Sequence, residues 1–155
     1  MAATFRGVAK TAGEQGALGL ITRPERPPGP GEVRVRIAAA GICGTDLEVY
    51  EWSAPIAEIM GEHLPIVIGH EFAGTVDAIG PGVNPELQGA RVAGESHRAC
   101  GSCNSCRNGK GHVCDRLEYV GFHFDGGFAE SALVPADMVR RRDGLKVLLR
   151  PGQSD

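Results

Sequence analysis

Five cysteines are the residues best suited to metal chemistry, and four of them lie close together. They form the pattern C-x-x-C-x-x-C-x7-C: Cys100, Cys103, Cys106 and Cys114. Four thiolates at this spacing can surround one tetrahedral Zn²⁺ ion. The segment between them has almost no aliphatic side chain, so it cannot build a hydrophobic core of its own. The pattern therefore predicts a structural zinc lobe over residues 97–116.

Three other uses of these cysteines compete with zinc. Disulfides would leave an odd cysteine, and they do not suit a cytoplasmic protein. An iron–sulfur cluster could take the same ligands, but nothing else indicates electron transfer. Four unrelated free thiols are the third alternative. His112 could replace one thiolate, but we expect it on the surface. Four basic residues could offset the negative charge of a four-thiolate site: Arg98, Arg107, Lys110 and Arg116.

A second set of candidate ligands is spread over a longer stretch of chain. Cys43 stands in Gly-Ile-Cys-Gly-Thr-Asp, and His70 and Glu71 stand in Gly-His-Glu. Taken singly, such a cysteine is more often a small buried hydrophobe, and such a His-Glu pair more often lies on the surface or in the core. Together with the lobe, they suit a catalytic zinc that keeps one position for water or substrate.

The segments that must position these residues are predicted to be mostly short strands. Apolar and charged side chains alternate over residues 32–40, which predicts a strand. Residues 45–52 suit a short helix with Thr45 or Asp46 as N-cap. Further strands are expected at residues 4–10 and 17–22, as a hairpin, and at 72–79, 91–94 and 128–135. Because 23 glycines and 10 prolines disfavour long helices, we expect a mainly β fold, a barrel of short strands.

Composition excludes several classes of protein. The formal net charge of −3 argues against a nucleic-acid-binding face. No stretch approaches the about 20 apolar residues of a membrane span. Because no signal-peptide pattern is present, a cytoplasmic location is expected. The one basic cluster, at residues 140–142, is expected to be a solvated surface.

The motifs together resemble a known family. Residues 41–46, Gly-His-Glu at 69–71, Gly-Gly-Phe-Ala-Glu at 126–130 and the cysteine lobe are similar to the GroES-like catalytic domain of medium-chain zinc alcohol dehydrogenases. The resemblance implies a GroES-like β-barrel domain with short helices over residues 1–139. Residues 140–155 are expected to be a divergent or truncated tail.

Finer features resemble L-threonine 3-dehydrogenases most. They are the spacing of Tyr50 and Trp52, and Gly-Glu-Ser-His immediately before the lobe. Polyol and glucose dehydrogenases share most of the same motifs, so these activities stay open as alternatives.

The resemblance also implies roles for individual residues. Cys43 and His70 would ligate a catalytic zinc, with Glu71 either a ligand or a carboxylate just outside the ligand set. Thr45 would pass the substrate proton towards solvent, and His97 would line the substrate pocket. Glu48 occupies a position where related threonine enzymes have a histidine, which leaves its part in the proton path open.

The implied activity is oxidation of a small secondary alcohol, L-threonine-like, with hydride transfer to NAD or NADP. No G-x-G-x-x-G motif occurs, so no Rossmann domain is expected within the 155 residues, and the chain alone is expected to be inactive. A homo-oligomer and a separate nucleotide-binding chain are both open as partners. A stand-alone zinc-binding GroES-like module is an alternative function, and a co-chaperonin would share only the barrel.

Overall fold

The computed structural model describes residues 3–141, which form ten strands and three α-helices. The strands are β1 (Thr4–Lys10), β2 (Leu18–Pro24), β3 (Glu32–Gly41), β4 (Ile66–Val67), β5 (Glu71–Ile79), β6 (Arg91–Gly94), β7 (His97–Arg98), β8 (Glu118–Tyr119), β9 (Ser131–Pro135) and β10 (Val139–Arg141). The helices are α1 (Gly44–Glu51), α2 (Ala54–Met60) and α3 (Asn104–Arg107). None of the helices within residues 3–141 has the length and apolar character needed to cross a membrane.

The strands pair antiparallel in three sheets. A five-stranded sheet has the order β10-β6-β5-β3-β9, a three-stranded sheet the order β2-β1-β4, and β7 pairs with β8 alone. An isolated bridge pairs Gly7 of β1 with Ala129, two residues before β9 of the larger sheet. The predicted mainly β fold with short helices is confirmed, and so is the hairpin of β1 and β2.

Two apolar clusters lie beneath these sheets and helices. The larger one packs the inward residues of the five-stranded sheet, among them Val33 and Val35, which are fully buried. The smaller cluster joins both helices that follow β3 to the segment around β4: Val49, Ile56, Met60, Ile66, Ile68 and Phe122. The smaller cluster therefore supports the segments that carry the candidate ligands Cys43 and His70.

Some expectations for local structure need correction. Helix α1 begins at Gly44 with Cys43 as N-cap, and neither Thr45 nor Asp46 holds that position. The reason is that the Asp46 carboxylate accepts a hydrogen bond from the Cys43 amide, which fixes the start of the helix before Gly44.

Helix α2 was not expected, although Ser53 as N-cap, Pro55 in the first turn and the buried pair Ile56 and Met60, four residues apart, are typical of a short helix. Its length of seven residues gives a periodic pattern too short to stand out in the sequence.

At the other end of the described chain, β10 extends to Arg141, two residues past the expected domain end at Val139. Arg140 and Arg141 are exposed, as expected for the basic cluster, and Arg140 also forms a surface ion pair at 3.2 Å with the Glu95 carboxylate. The rest of the expected tail, residues 142–155, lies outside the described residues.

Pairing of β3 with β5 places the candidate ligands side by side. The last pair of that ladder is Gly41 with Glu71. Cys43 follows one end of the pair by two residues, and His70 precedes the other end directly. Two register shifts, near Arg34 and near Ile37, bend the ladder before it reaches this point.

The same ladder carries a partly exposed ion-pair network. The Asp77 carboxylate of β5 accepts hydrogen bonds from Arg34 Nε at 2.7 Å and from an Arg36 guanidinium nitrogen at 2.8 Å. Burial acts to raise the pKa of Asp77, but the bonds from the two arginines outweigh it, so the pKa lies below its ordinary value.

We predict that Asp77→Asn lowers the free energy of unfolding at pH 7 by about 1 kcal/mol. Because the folded carboxyl binds its proton more weakly than the unfolded one, this contribution is present above the ordinary pKa of about 3.9 and is lost as pH falls through the lower folded-state value. Urea unfolding at several pH values measures it. Asp137→Asn, at an exposed carboxylate, is the control; an equal effect in both variants would contradict the expectation.

Candidate functional site

The structure brings Cys43 and His70 together at the end of the β3–β5 ladder. Cys43 Sγ lies 3.0 Å from His70 Nε2, although the two residues are 27 positions apart. A thiolate and an imidazole nitrogen that face each other in this way are two ligands of the type that zinc prefers. Both side chains are held by defined elements, because Cys43 caps helix α1 and His70 lies directly before β5.

Asp46 completes this group. One of its carboxylate oxygens accepts from the Cys43 amide at 2.8 Å, and the other lies 3.8 Å from His70 Nδ1. Ligand atoms of Cys43, Asp46 and His70 all lie within 4.8 Å of one another. His70 Nδ1 is buried and has no hydrogen-bond partner, and Asp46 is the nearby anion. A cation held by Sγ and Nε2, with the Nδ1 proton directed towards Asp46, would fit this donor set.

Glu71, by contrast, does not enter the group. Its side chain is exposed, and its carboxylate lies against the backbone of Gly41, with one oxygen only 2.7 Å from where a Cβ on that glycine would stand. The physical reason is the strand: Glu71 is the first residue of β5, and successive side chains in a strand point to opposite faces. Glu71 was the carboxylate expected beside Cys43 and His70, whereas the structure places Asp46 between the Cys43 amide and the His70 ring.

The Gly-Gly-Phe motif positions His70 from the other side. The Gly127 amide donates to the Gly69 carbonyl at 2.7 Å, and the Phe128 amide donates to the Ile68 carbonyl at 2.9 Å. Gly69 has a φ of +93° and lies under the Phe128 ring, where a Cβ would be 2.4 Å from a ring carbon. A Cβ on Gly126 would be 2.2 Å from the Gly69 carbonyl oxygen. Residues 126–128 therefore lie against the backbone that presents His70.

The second candidate metal centre is the cysteine lobe. Its four sulfurs all lie within 4.8 Å of one another: Cys100, Cys103, Cys106 and Cys114. Backbone amides point at several of these sulfurs, for example those of Ser102 and Cys103 at Cys100 Sγ, at 3.5 and 3.4 Å. At its base, β7 pairs with β8 and closes the lobe. His112 is exposed and stands outside the sulfur group.

The electrostatics of the lobe favour a cation among the four sulfurs. Amide donors hold the pKa of Cys100 at about 5, whereas removal from water and the neighbouring Cys103 and Cys114 sulfurs raise the pKa of Cys106 to about 12. The four sulfurs therefore cannot all be thiolates at neutral pH unless a positive charge is placed among them. Arg116 supplies part of it, with one guanidinium nitrogen 3.5 Å from Cys100 Sγ.

The remaining predicted site residues lie near the first group without joining it. Thr45 is half-buried in the first turn of α1, and Glu48 is exposed one turn later. His97 lies in β7 with Nδ1 3.1 Å from the Ser96 hydroxyl. Its ring is connected to that of His70 through two aromatic rings, with centroid distances of 5.9 to 6.0 Å.

A match over most of the chain shows the protein family. The model of the alcohol dehydrogenase GroES-like domain matches residues 29–143. The chain belongs to this family. The resemblance to zinc-dependent medium-chain alcohol dehydrogenases is thereby confirmed, and so is the GroES-like fold.

Individual relatives agree with this assignment. An L-threonine 3-dehydrogenase of Pyrococcus furiosus is 43% identical over 132 residues, which make up 85% of this chain and 37% of the relative. A crystal structure of the Escherichia coli alcohol dehydrogenase RspB with NADH has a TM-score of 0.78 at 39% identity, covering 89% of this chain and 38% of that one. A thermostable alcohol dehydrogenase of Pyrobaculum aerophilum with bound cobalt and zinc has a TM-score of 0.79 at 30% identity, covering 92% and 42%.

The match is confined to one part of these relatives. The chain spans between 34% and 38% of the length of three curated relatives that it matches. In residues 3–141 all pairs of named strands are antiparallel, so the described part of the chain contains no parallel β-α-β unit of the dinucleotide-binding type.

We predict that Gly126→Ala lowers metal binding by Cys43 and His70 and leaves the cysteine lobe loaded. The new Cβ would push the Gly69 carbonyl away and displace His70. Zinc analysis after gel filtration measures the bound ions per chain. Gly61→Ala is the matched control, because an added Cβ there meets nothing within 4 Å. Retention of the same zinc content in both variants would contradict the positioning role of Gly126.

Proposed function

We propose that the chain is the catalytic domain of a zinc-dependent dehydrogenase that oxidises a small secondary alcohol. The observation that carries the proposal is the approach of Cys43 Sγ to His70 Nε2, with a buried Nδ1 beside Asp46. This arrangement has a thiolate, an imidazole and a carboxylate, and further positions around the cation remain for substrate. The cysteine lobe takes a second, structural zinc ion.

Each residue of the first group has a separate task in this proposal. Cys43 and His70 hold the metal, and Asp46 keeps the His70 ring in the tautomer with its proton on Nδ1. Glu71, close to Gly41, is a further ligand only if its side chain turns from the position described above. When bound, zinc supplies a Lewis acid at the substrate hydroxyl, and the nicotinamide of NAD or NADP accepts the hydride.

The proton released from the substrate leaves along helix α1. The Thr45 hydroxyl, in the first turn, receives it and passes it on. Glu48 lies three residues further on, on the same side of the helix and exposed to water, so it can take the proton to solvent. His97 lines the substrate pocket. These three assignments extend the family resemblance to the positions described here.

The substrate is an L-threonine-like secondary alcohol. Support comes from the identity with the Pyrococcus furiosus L-threonine 3-dehydrogenase and from the sequence features around Trp52 and His97. Polyol and glucose dehydrogenase activities are the alternatives. The dinucleotide-binding domain that such a reaction requires would come from chain outside residues 3–141 or from a separate nucleotide-binding chain. A homo-oligomer is the other partner proposed.

A stand-alone zinc-binding module without catalysis is the second candidate. One observation favours it: both metal centres are formed entirely by the residues described here, so metal binding does not depend on another domain. Zinc content is the same in both proposals, and only turnover with a cofactor distinguishes them.

We expect two zinc ions per chain, one in each centre. Cys43→Ala should remove one and leave the unfolding midpoint nearly unchanged, because the lobe keeps its four sulfurs. Cys103→Ala should remove the other and lower stability, since a structural zinc contributes on the order of 10 kcal/mol to ordering its ligands. Atomic absorption and urea unfolding measure the two effects. If the chain binds a single ion, which Cys43→Ala retains and Cys103→Ala loses, then only the lobe binds metal and the Cys43–His70 centre is contradicted.

The 155-residue chain by itself should produce no NADH from NAD⁺ and L-threonine, sorbitol or glucose, because hydride transfer needs a positioned nicotinamide. Absorbance of NADH measures the rate, and Cys43→Ala provides the background. A rate above that background would show that the chain binds and positions the cofactor without help.

A further inference from the structure

The turn that follows β8 is fastened by a histidine side chain. His123 Nδ1 lies 3.0 Å from the Tyr119 amide nitrogen. An amide can only donate, so Nδ1 must accept, and the neutral ring then carries its proton on Nε2. The Tyr119 carbonyl accepts from the amides of Phe122 and His123, at 3.2 and 3.0 Å. The turn is thus held through both the amide and the carbonyl of Tyr119.

His123 is suited to remain an acceptor at neutral pH. Burial and the nearby His63, whose ring centroid lies 5.1 Å away, lower the pKa of His123, and Glu118 acts in the opposite direction without reversing the result. Its ring also stacks on that of Tyr119, with a centroid distance of 5.8 Å and an interplanar angle of 28°. The hydrogen bond and the ring contact therefore hold the imidazole in position, and the lowered pKa favours its neutral form.

The residue that this turn presents is Phe122. Its side chain is only 6% exposed, and its ring centroid lies 5.9 Å from that of His70. Phe122 belongs to the same apolar cluster as Val49 of helix α1 and Ile68, two residues before His70. It therefore packs between the two elements that bring Cys43 and His70 together.

An alternative role for His123 would be to bind a metal ion together with His63. The Nδ1 lone pair is already directed at the Tyr119 amide, and Nε2 keeps the proton, so the ring has no free lone pair for a cation. Within residues 3–141, only the two groups described above place three or more potential ligands close together. The neighbouring His63 is exposed and contributes a ring contact.

We propose that His123 is a positioning residue for the Cys43–His70 centre: by accepting the Tyr119 N–H it holds the Phe122 ring against the His70 imidazole. The inference rests on the proposed function, because it assumes that Cys43 and His70 bind a metal. The requirement is for a hydrogen-bond acceptor at the position of Nδ1, which a side chain that only fills the space cannot replace.

Two substitutions separate these roles. In His123→Asn the side-chain oxygen is as many bonds from Cα as Nδ1 is, so it can accept from the Tyr119 amide. In His123→Gln the oxygen corresponds to Nε2, so the acceptor is lost although the volume is closer to that of histidine. Both variants are prepared as the full chain with zinc in the cysteine lobe. Co²⁺ is then titrated into the Cys43–His70 centre and followed by its visible absorption.

We expect the cobalt affinity of His123→Asn to lie within about twofold of the unsubstituted chain, and that of His123→Gln to be about tenfold weaker, the lower end of the range for residues that orient metal ligands. His63→Gln is the control, because it removes the ring contact and leaves the Tyr119 hydrogen bond in place; its affinity should not change. Urea unfolding checks that each variant is folded.

Equal cobalt affinities in the Asn and Gln variants, with normal cobalt binding at the Cys43–His70 centre of the unsubstituted chain, would overturn this inference alone. No cobalt binding outside the lobe in the unsubstituted chain would overturn the proposed function, and this inference with it. Should His123→Gln not fold, Phe122→Leu takes its place: weaker cobalt binding supports the role of the turn, and unchanged binding contradicts it.

Discussion

The pairing of Gly41 with Glu71 is the contact on which the candidate catalytic centre depends. It closes the β3–β5 ladder, and the two ligands stand just beyond it, on the two separate chain segments. Because side chains alternate along a strand, a slip of one residue in this ladder would turn alternate side chains to the other face and separate Cys43 from His70. The two register shifts near Arg34 and Ile37 make the pairing specific, since a regular ladder could be formed in several registers.

Different forces hold the two candidate metal centres. Around Cys43 and His70 the support is hydrophobic and backbone-based: an apolar cluster under helix α1, and the amides of Gly127 and Phe128 bonded to the 68–69 backbone. In the lobe, the four sulfurs and the amides that point at them replace a core. The Cys43–His70 centre therefore inherits its geometry from the fold, whereas in the lobe an ion bound by the four sulfurs would supply the cohesion.

Much of this arrangement could be predicted from the sequence. Cysteine spacing alone identifies the lobe, and alternation of apolar residues identifies the longer strands, because both patterns are local. The role of Asp46 could have been suspected from its place three residues after Cys43, the spacing of a helix cap. Its second contact, with His70, depends on tertiary structure, and so does the packing of Gly126 against Gly69. Helix α2 was missed because it is only seven residues long and buries only two of them, Ile56 and Met60.

The two-residue ladder of β7 and β8 has an evolutionary consequence. His97 faces Tyr119 and Arg98 faces Glu118, so the chain enters and leaves the lobe at adjacent points of one antiparallel pair. Excision of the intervening segment would leave ends that a tight hairpin turn can join. The length of the lobe can therefore change without altering the strand order of the two larger sheets.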